Sequence, residues 1–344
     1  GISFGVLGLM LTDIKVLANS KNRLIALTGV IFIFSLLMTV LTSDAPITQQ
    51  IFGSNGRNTG LLAYISLAIL FVGTALASNM QTIRIFLLSV RTIICLNLIY
   101  CFIQALGNDP IKWSNPYAPV IGTLGNPDFA SAFLGIGASF ILTYLFDSKN
   151  SLIYRSISFI YIPIAVFAIL KSNSQQGLLV MALVGPIVLF FKIRSVITSR
   201  IIEYSYVLLV LLVGVISIAG TFQKGPLSKI LYKTSITQRG DYWHAGLQMF
   251  QSHPFFGVGL DSYGDWYRVS RTAAAAARFG GSVVSNSAHN VFIDIAATSG
   301  LFAFLIYLLI ICLALRSSWR ILKRTRTFNP IFVGIFTAWI AYLA

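Results

Sequence analysis

Long apolar runs separated by short polar connections dominate the chain. A membrane-crossing helix needs roughly 20 apolar residues. Runs of this kind fall at 1–12 (cut short), 23–42, 59–78, 85–106, 128–146, 155–171, 177–191, 202–220, 288–315 and from 330 onward. The pattern predicts an all-α fold, a polytopic integral membrane helical bundle of about ten transmembrane helices. The chain opens on Gly1 and stops inside an apolar run, so both ends are expected to be truncated. A single domain over 1–344 is expected, interrupted by one long loop at 221–287.

Charge turns this pattern into a topology. Lys15, Lys21 and Arg23, then Arg84, then Lys149 and Arg155, then Lys192, Arg194 and Arg200 occupy alternate connections. Arg316, Arg320, Lys323, Arg324 and Arg326 close the series. The opposite short loops hold only Arg57, Lys112 and Lys171. Cytoplasmic loops carry the excess of Lys and Arg, so the 221–287 loop is expected to face the periplasm or cell exterior.

Composition agrees: 56% of residues are hydrophobic and 10% charged, against roughly 25% charged in soluble domains. The net charge of +15 therefore reads as topology and not as nucleic-acid binding. Cys95, Cys101 and Cys312 sit inside apolar runs and suit neither a metal site nor a disulfide framework.

The polar residues that remain concentrate in 239–301. All three histidines, His244, His253 and His289, lie there, with Arg239, Arg268, Arg271 and Arg278. The histidines lack metal-ligand spacing, so no metal is expected. If 268–278 were one helix, its three arginines would share a face about 80° wide. Such a stripe matches phosphate oxygens through guanidinium forks, or else simply meets lipid phosphates. Arg239 lies one turn before Trp243 in an amphipathic stretch, either as an anion contact or as an interfacial anchor.

His289 follows Ser285-Asn286-Ser287, good N-cap residues, which would put it in the first turn of a membrane helix. The helix dipole there disfavours imidazolium. A neutral imidazole can take a proton from a hydroxyl, although histidines at helix starts also serve as plain hydrogen-bond donors. Asp294, deeper in the same run, is an intramembrane carboxylate and so a functional candidate.

Together these residues resemble the bacterial O-antigen ligase and O-antigen polymerase superfamily. The resemblance rests on Gly56-Arg57-Asn58-Thr59-Gly60, Gly122-Thr123-Leu124-Gly125-Asn126-Pro127, Arg239 with Trp243, Gly257-Val258-Gly259, and His289-Asn290-Val291-Phe292-Ile293-Asp294 with Gly300. It implies a glycosyltransferase of the bacterial cytoplasmic membrane that polymerises or ligates a polyprenyl-diphosphate-linked glycan. The 221–287 loop would carry part of the active site, with no metal or other cofactor. Catalysis would fall to Arg239, holding the diphosphate, and His289, acting on the acceptor hydroxyl of a glycan or lipid. Arg57, Arg268, Arg271, Arg278, Trp243, Asn126, Gln176 and Asp294 would bind substrate. The chain departs from the family at Ser174-Gln175-Gln176-Gly177, where an arginine is expected. A protein O-oligosaccharyltransferase of the same superfamily and a small-anion transporter are the alternatives. A transporter should carry polar or broken helices near the midplane, where the sequence offers mainly Arg91 and Asp294.

Overall fold

A computed structural model of the chain describes residues 20–77, 79–113, 118–147 and 149–343. The expected span at 1–12 lies outside them. Among the described residues, helix is the regular secondary structure throughout, with no strand. Among the described residues, seven helices are long and apolar enough to cross a membrane, and shorter apolar helices occupy 61–76 and 330–343. The bilayer explains why hydropathy finds them so directly: a spanning segment must satisfy its backbone polar groups internally. The chain is a polytopic membrane helical bundle. It divides into two compact units, the first taking the described residues before Asn79 together with Val215–Ser317, the second Asn79–Gly214 and Ser318–Ala344.

The first unit begins with α1 (Ser20–Thr42), α2 (Ile47–Phe52) and α3 (Leu61–Ala77). Helices α1 and α3 pack face to face. Gly29 permits this, since a Cβ there would stand 2.7 Å from Val72 Cγ2.

The second unit runs through α4 (Met80–Ala105), a 3₁₀ turn at Gly122–Leu124, α5 (Pro127–Phe146), α6 (Leu152–Lys171), α7 (Gln176–Val196) and α8 (Arg200–Thr221), which crosses into the first unit. Helix α5 is its hub, packing on α4, α6, α7 and the terminal α14 (Pro330–Leu343). Small residues let backbones meet there, as TM packing requires: a Cβ on Gly177 would lie 2.3 Å from Ser131 O. Two buried amides on α4 draw the next loop inward. Gln104 Oε1 accepts the N–H groups of Ile121 and Gly122, and Asn97 Oδ1 accepts that of Thr123.

The 221–287 loop is itself helical. It contains α9 (Ser228–Leu231), α10 (Thr234–Ser252), α11 (Tyr263–Ser270) and α12 (Ala273–Phe279), and leads into α13 (Val291–Arg324). Ala245, Met249, Val258, Tyr263, Tyr267, Ala288 and Ala297 form a core of their own beneath these elements. The single 268–278 helix considered above does not form. Arg271 adopts an extended conformation, and the Thr272 side chain caps α12 by accepting Ala275 N–H. The arginines therefore share no single helical face.

The apolar run 288–315 is also interrupted. Gly300 sits at φ +74°, ψ −173° within α13, a conformation open essentially to glycine. The loop before α11 satisfies the backbone groups this break frees. Val258 and Gly259 donate N–H to the carbonyls of Ala297 and Thr298, both at 3.0 Å, while Leu301 N–H reaches Pro254 O at 2.8 Å. Thr39 Oγ1 of α1 donates to Ser299 O at 3.2 Å.

Candidate active site

Nearly all the residues singled out in the sequence belong to the first unit, around the start of α13. Asn290, not Ser285–Ser287, caps that helix: its Oδ1 accepts the N–H groups of Phe292 and Ile293 at 3.0 and 3.3 Å. His289 therefore lies just outside the helix and not in its first turn. It is solvent-exposed and takes φ +52°, a left-handed conformation uncommon for a residue with a side chain. The reason is local. Asp294 Oδ1 reaches back from the first turn and accepts Ala288 N–H at 2.7 Å, pinning the residue before His289.

The imidazole lies against the ring of Tyr242, with centroids 5.6 Å apart and planes tilted by 32°. Tyr242 is held in turn. Its backbone carbonyl accepts the Tyr263 hydroxyl at 2.5 Å, and its ring meets Tyr267 edge-on at 5.4 Å. Burial pushes the Tyr242 and Tyr267 phenols above the ordinary tyrosine range, and neighbouring acidic or phenolic groups add to the shift. Tyr263 is driven further the same way, again first by burial.

Arg239 and Trp243 share with Tyr242 one face of α10, since positions three and four apart line up on a helix. Arg239 is half-buried. Among the described residues it has no hydrogen-bond or ion-pair partner, and the buried Trp243 Nε1 has no acceptor. A half-buried guanidinium without a counter-charge is able to take up an anion, because burial costs most when a charge is left unpaired.

The other arginines have separate fates. Arg57 Nε pairs with Asp261 Oδ1 at 3.2 Å, and that carboxylate is 3% exposed. Asp261, at φ +54°, also accepts Ser54 N–H at 2.5 Å, while Gln49 Nε2 donates to Asp261 O and to Asp265 Oδ2. Sequence reasoning missed the Asp261 partnership; its only signal was a polar residue following Gly257-Val258-Gly259. Arg271 donates to Val283 O and Gly281 O, both at 2.7 Å, and so braces the loop before His289. Arg278 pairs with Asp241 at 2.8 Å. Arg268 is exposed, with no such partner among the described residues.

His253 sits edge-on to Trp266 at 4.6 Å and bonds Ser252, a structural role, and His244 is exposed. Among the described residues no group of three His, Cys, Asp or Glu could hold a metal. Asn126 and Gln176 belong to the second unit. Asn126 caps α5 by accepting the N–H groups of Asp128 and Phe129, and Gln176 opens α7 with its own N–H on Ser174 Oγ.

A family model described as O-antigen ligase matches residues 130–308, just over half of the chain. The chain belongs to the O-antigen ligase family. The matched segment includes Arg239, Tyr242, Trp243, His289 and Asp294, whereas Arg57 and Asn126 fall before it. Comparison with curated proteins gives no match. At the level of the family, then, this O-antigen ligase family member is a multi-pass membrane protein of glycan ligation or polymerisation.

Proposed function

We propose that the protein transfers a glycan from a polyprenyl-diphosphate carrier to a hydroxyl of a second glycan or lipid, on the periplasmic side of the cytoplasmic membrane. The observation that carries this reading is the α10 face bearing Arg239, half-buried and uncompensated, one turn before the Tyr242 ring that holds His289.

In this reaction the acceptor oxygen attacks the anomeric carbon as the bond to the diphosphate oxygen breaks. The electron pair leaves with the diphosphate, and negative charge builds on it. Arg239 stabilises that charge from a fixed position, the arrangement that gives electrostatic catalysis its strength. His289 receives the acceptor proton at an imidazole nitrogen. Attack opposite the leaving group inverts the anomeric centre. Arg268, exposed and uncommitted, adds a second cation for the same polyanion. Arg57, Arg271 and Arg278 act differently, holding the surrounding backbone through Asp261, the 281–283 carbonyls and Asp241.

The test complements a strain lacking the gene with wild type, Arg239→Ala or His289→Ala at matched membrane levels. Surface glycans are sized and the carrier-linked pool is measured. Loss of long chains in both variants, with single repeats still attached to acceptor, identifies a polymerase. Long polymer stranded on the carrier identifies a ligase. Wild-type profiles from both variants would remove this site from consideration.

A further inference from the structure

The second unit has an apolar groove at its basic end. Helices α7 and α8, with Leu322 and Phe336, enclose an apolar groove of about 270 Å³. Pro186, Phe190, Tyr206, Val207 and Val210 line it, and no polar atom faces it. Tyr206 donates its hydroxyl to Pro186 O at 2.9 Å and stacks its ring on Phe190.

Phe191 and Leu322 form the floor of this groove and also of a small adjoining cleft lined by Arg194, Thr325, Arg326 and Asn329. There the buried Glu203 carboxylate meets two guanidiniums, those of Arg194 and Arg326. Both also cap carbonyls: Arg194 that of Leu322 at 2.9 Å, Arg326 that of Ile197 at 3.1 Å. One carboxylate against two arginines leaves a positive excess. Arg194 Nε is buried with no acceptor. Lys192, Arg200, Lys323 and Arg324 lie within three positions of Arg194, Glu203 or Arg326 in the chain and raise the local positive charge further. The exposed Trp319, with Lys323 Nζ 5.2 Å from its ring centre, marks interfacial depth.

We infer that this end of the second unit binds one anionic phospholipid of the cytoplasmic leaflet, with an acyl chain in the α7–α8 groove and its phosphodiester at Arg194 and Arg326. An apolar slot beside two guanidiniums that share a single carboxylate selects an amphiphile with a negative head, and basic pockets between membrane helices hold such headgroups. The alternating basic loops assign this end to the cytoplasmic leaflet. A phospholipid of that leaflet is therefore the occupant, in preference to a carrier whose diphosphate works on the other side. The inference does not depend on the glycan chemistry proposed above.

Native mass spectrometry of the purified full chain, offered phosphatidylglycerol or phosphatidylcholine, tests it. Wild type should retain one phosphatidylglycerol with a preference of at least about fivefold, the factor given by about 1 kcal/mol for a basic residue at a membrane surface. Raised salt should erode the preference. Val210→Trp, which fills the slot without touching a charge, should abolish retention, and Lys149→Gln, on a different loop, should leave it intact. Val207→Phe is the second blocking variant should Val210→Trp fold poorly. Equal retention of the two lipids by wild type overturns the inference. So does undiminished phosphatidylglycerol on a folded blocking variant. Displacement by polyprenyl phosphate at equal concentration would give the groove to the isoprenoid carrier instead.

Discussion

The Asp294 carboxylate accepts the backbone N–H of Ala288 at 2.7 Å, so the first turn of α13 fixes the conformation of the residue beside His289. Asp294→Asn keeps an acceptor oxygen and should retain most glycan transfer. Asp294→Leu leaves a buried N–H unsatisfied, costing about 1–3 kcal/mol locally, and releases His289 from its left-handed position. Glycan profiles of the two variants at matched levels should differ clearly, with the leucine variant close to the null strain. Equal profiles would remove Asp294 as a positioning residue.

Arg239 and Arg278 make an informative pair, since one has no counter-charge among the described residues and the other meets Asp241 at 2.8 Å on an exposed surface. Losing a donor fixed on developing charge costs about 10²–10³ in rate, so Arg239→Ala should fall by that factor. Exposed ion pairs are worth about 0–1 kcal/mol, and Arg278→Ala should keep transfer near wild type. Turnover in membrane vesicles supplied with carrier-linked glycan reads both.

Gly257 and Gly300 face each other across the helix break. A Cβ on Gly300 would stand 2.3 Å from Phe255 O, and one on Gly257 would stand 2.4 Å from Ser299 N. Both glycines have positive φ. Alanine at either position should lower the thermal midpoint in detergent, through strain of about 1–3 kcal/mol per residue held in such a conformation and through the clash. Gly280→Ala, also at positive φ but with open space around it, should cost less.

Alkali should loosen the module around His289. The phenols of Tyr242, Tyr263 and Tyr267 are all raised from 10.0 in the folded chain. Their stabilisation is complete below pH 10 and is lost as pH rises through the folded values, because the unfolded chain ionises first. Tyrosine absorbance and loop proteolysis followed between pH 9 and 12 should show accelerating cleavage within 221–290. Tyr242→Phe should reduce that acceleration.

The membrane spans were legible in the sequence because the bilayer imposes one requirement on all of them, an uninterrupted apolar length with internal hydrogen bonding. Helices α5 and α6 fall within three residues of the runs read directly. The interruption at Gly300 was not legible, since hydropathy continues straight through it and the bonds from Val258, Gly259, Leu301 and Thr39 that mark where the helix parts join residues distant in the sequence. The same holds for α11 and α12. Alanine propensity pointed to a helix, but Thr272 competed as a cap and split the arginine stripe. His289 and Arg239 stood out in the sequence because each is a chemically reactive or charged residue in an apolar chain. Asp261 was missed because its meaning depends on Arg57, which lies 204 positions earlier in the sequence.

The bonds from Val258 and Gly259 to Ala297 and Thr298 also set an order of assembly. Synthesis produces the loop before the helix whose carbonyls complete it. The residues around His289 therefore reach their working arrangement only after α13 has entered the bilayer and parted at Gly300. A chimera that exchanges the 221–287 loop alone between relatives severs that agreement. The segment to be exchanged extends at least from α10 through Leu301, together with Thr39, Gln49, Ser54 and Arg57, whose bonds it also carries.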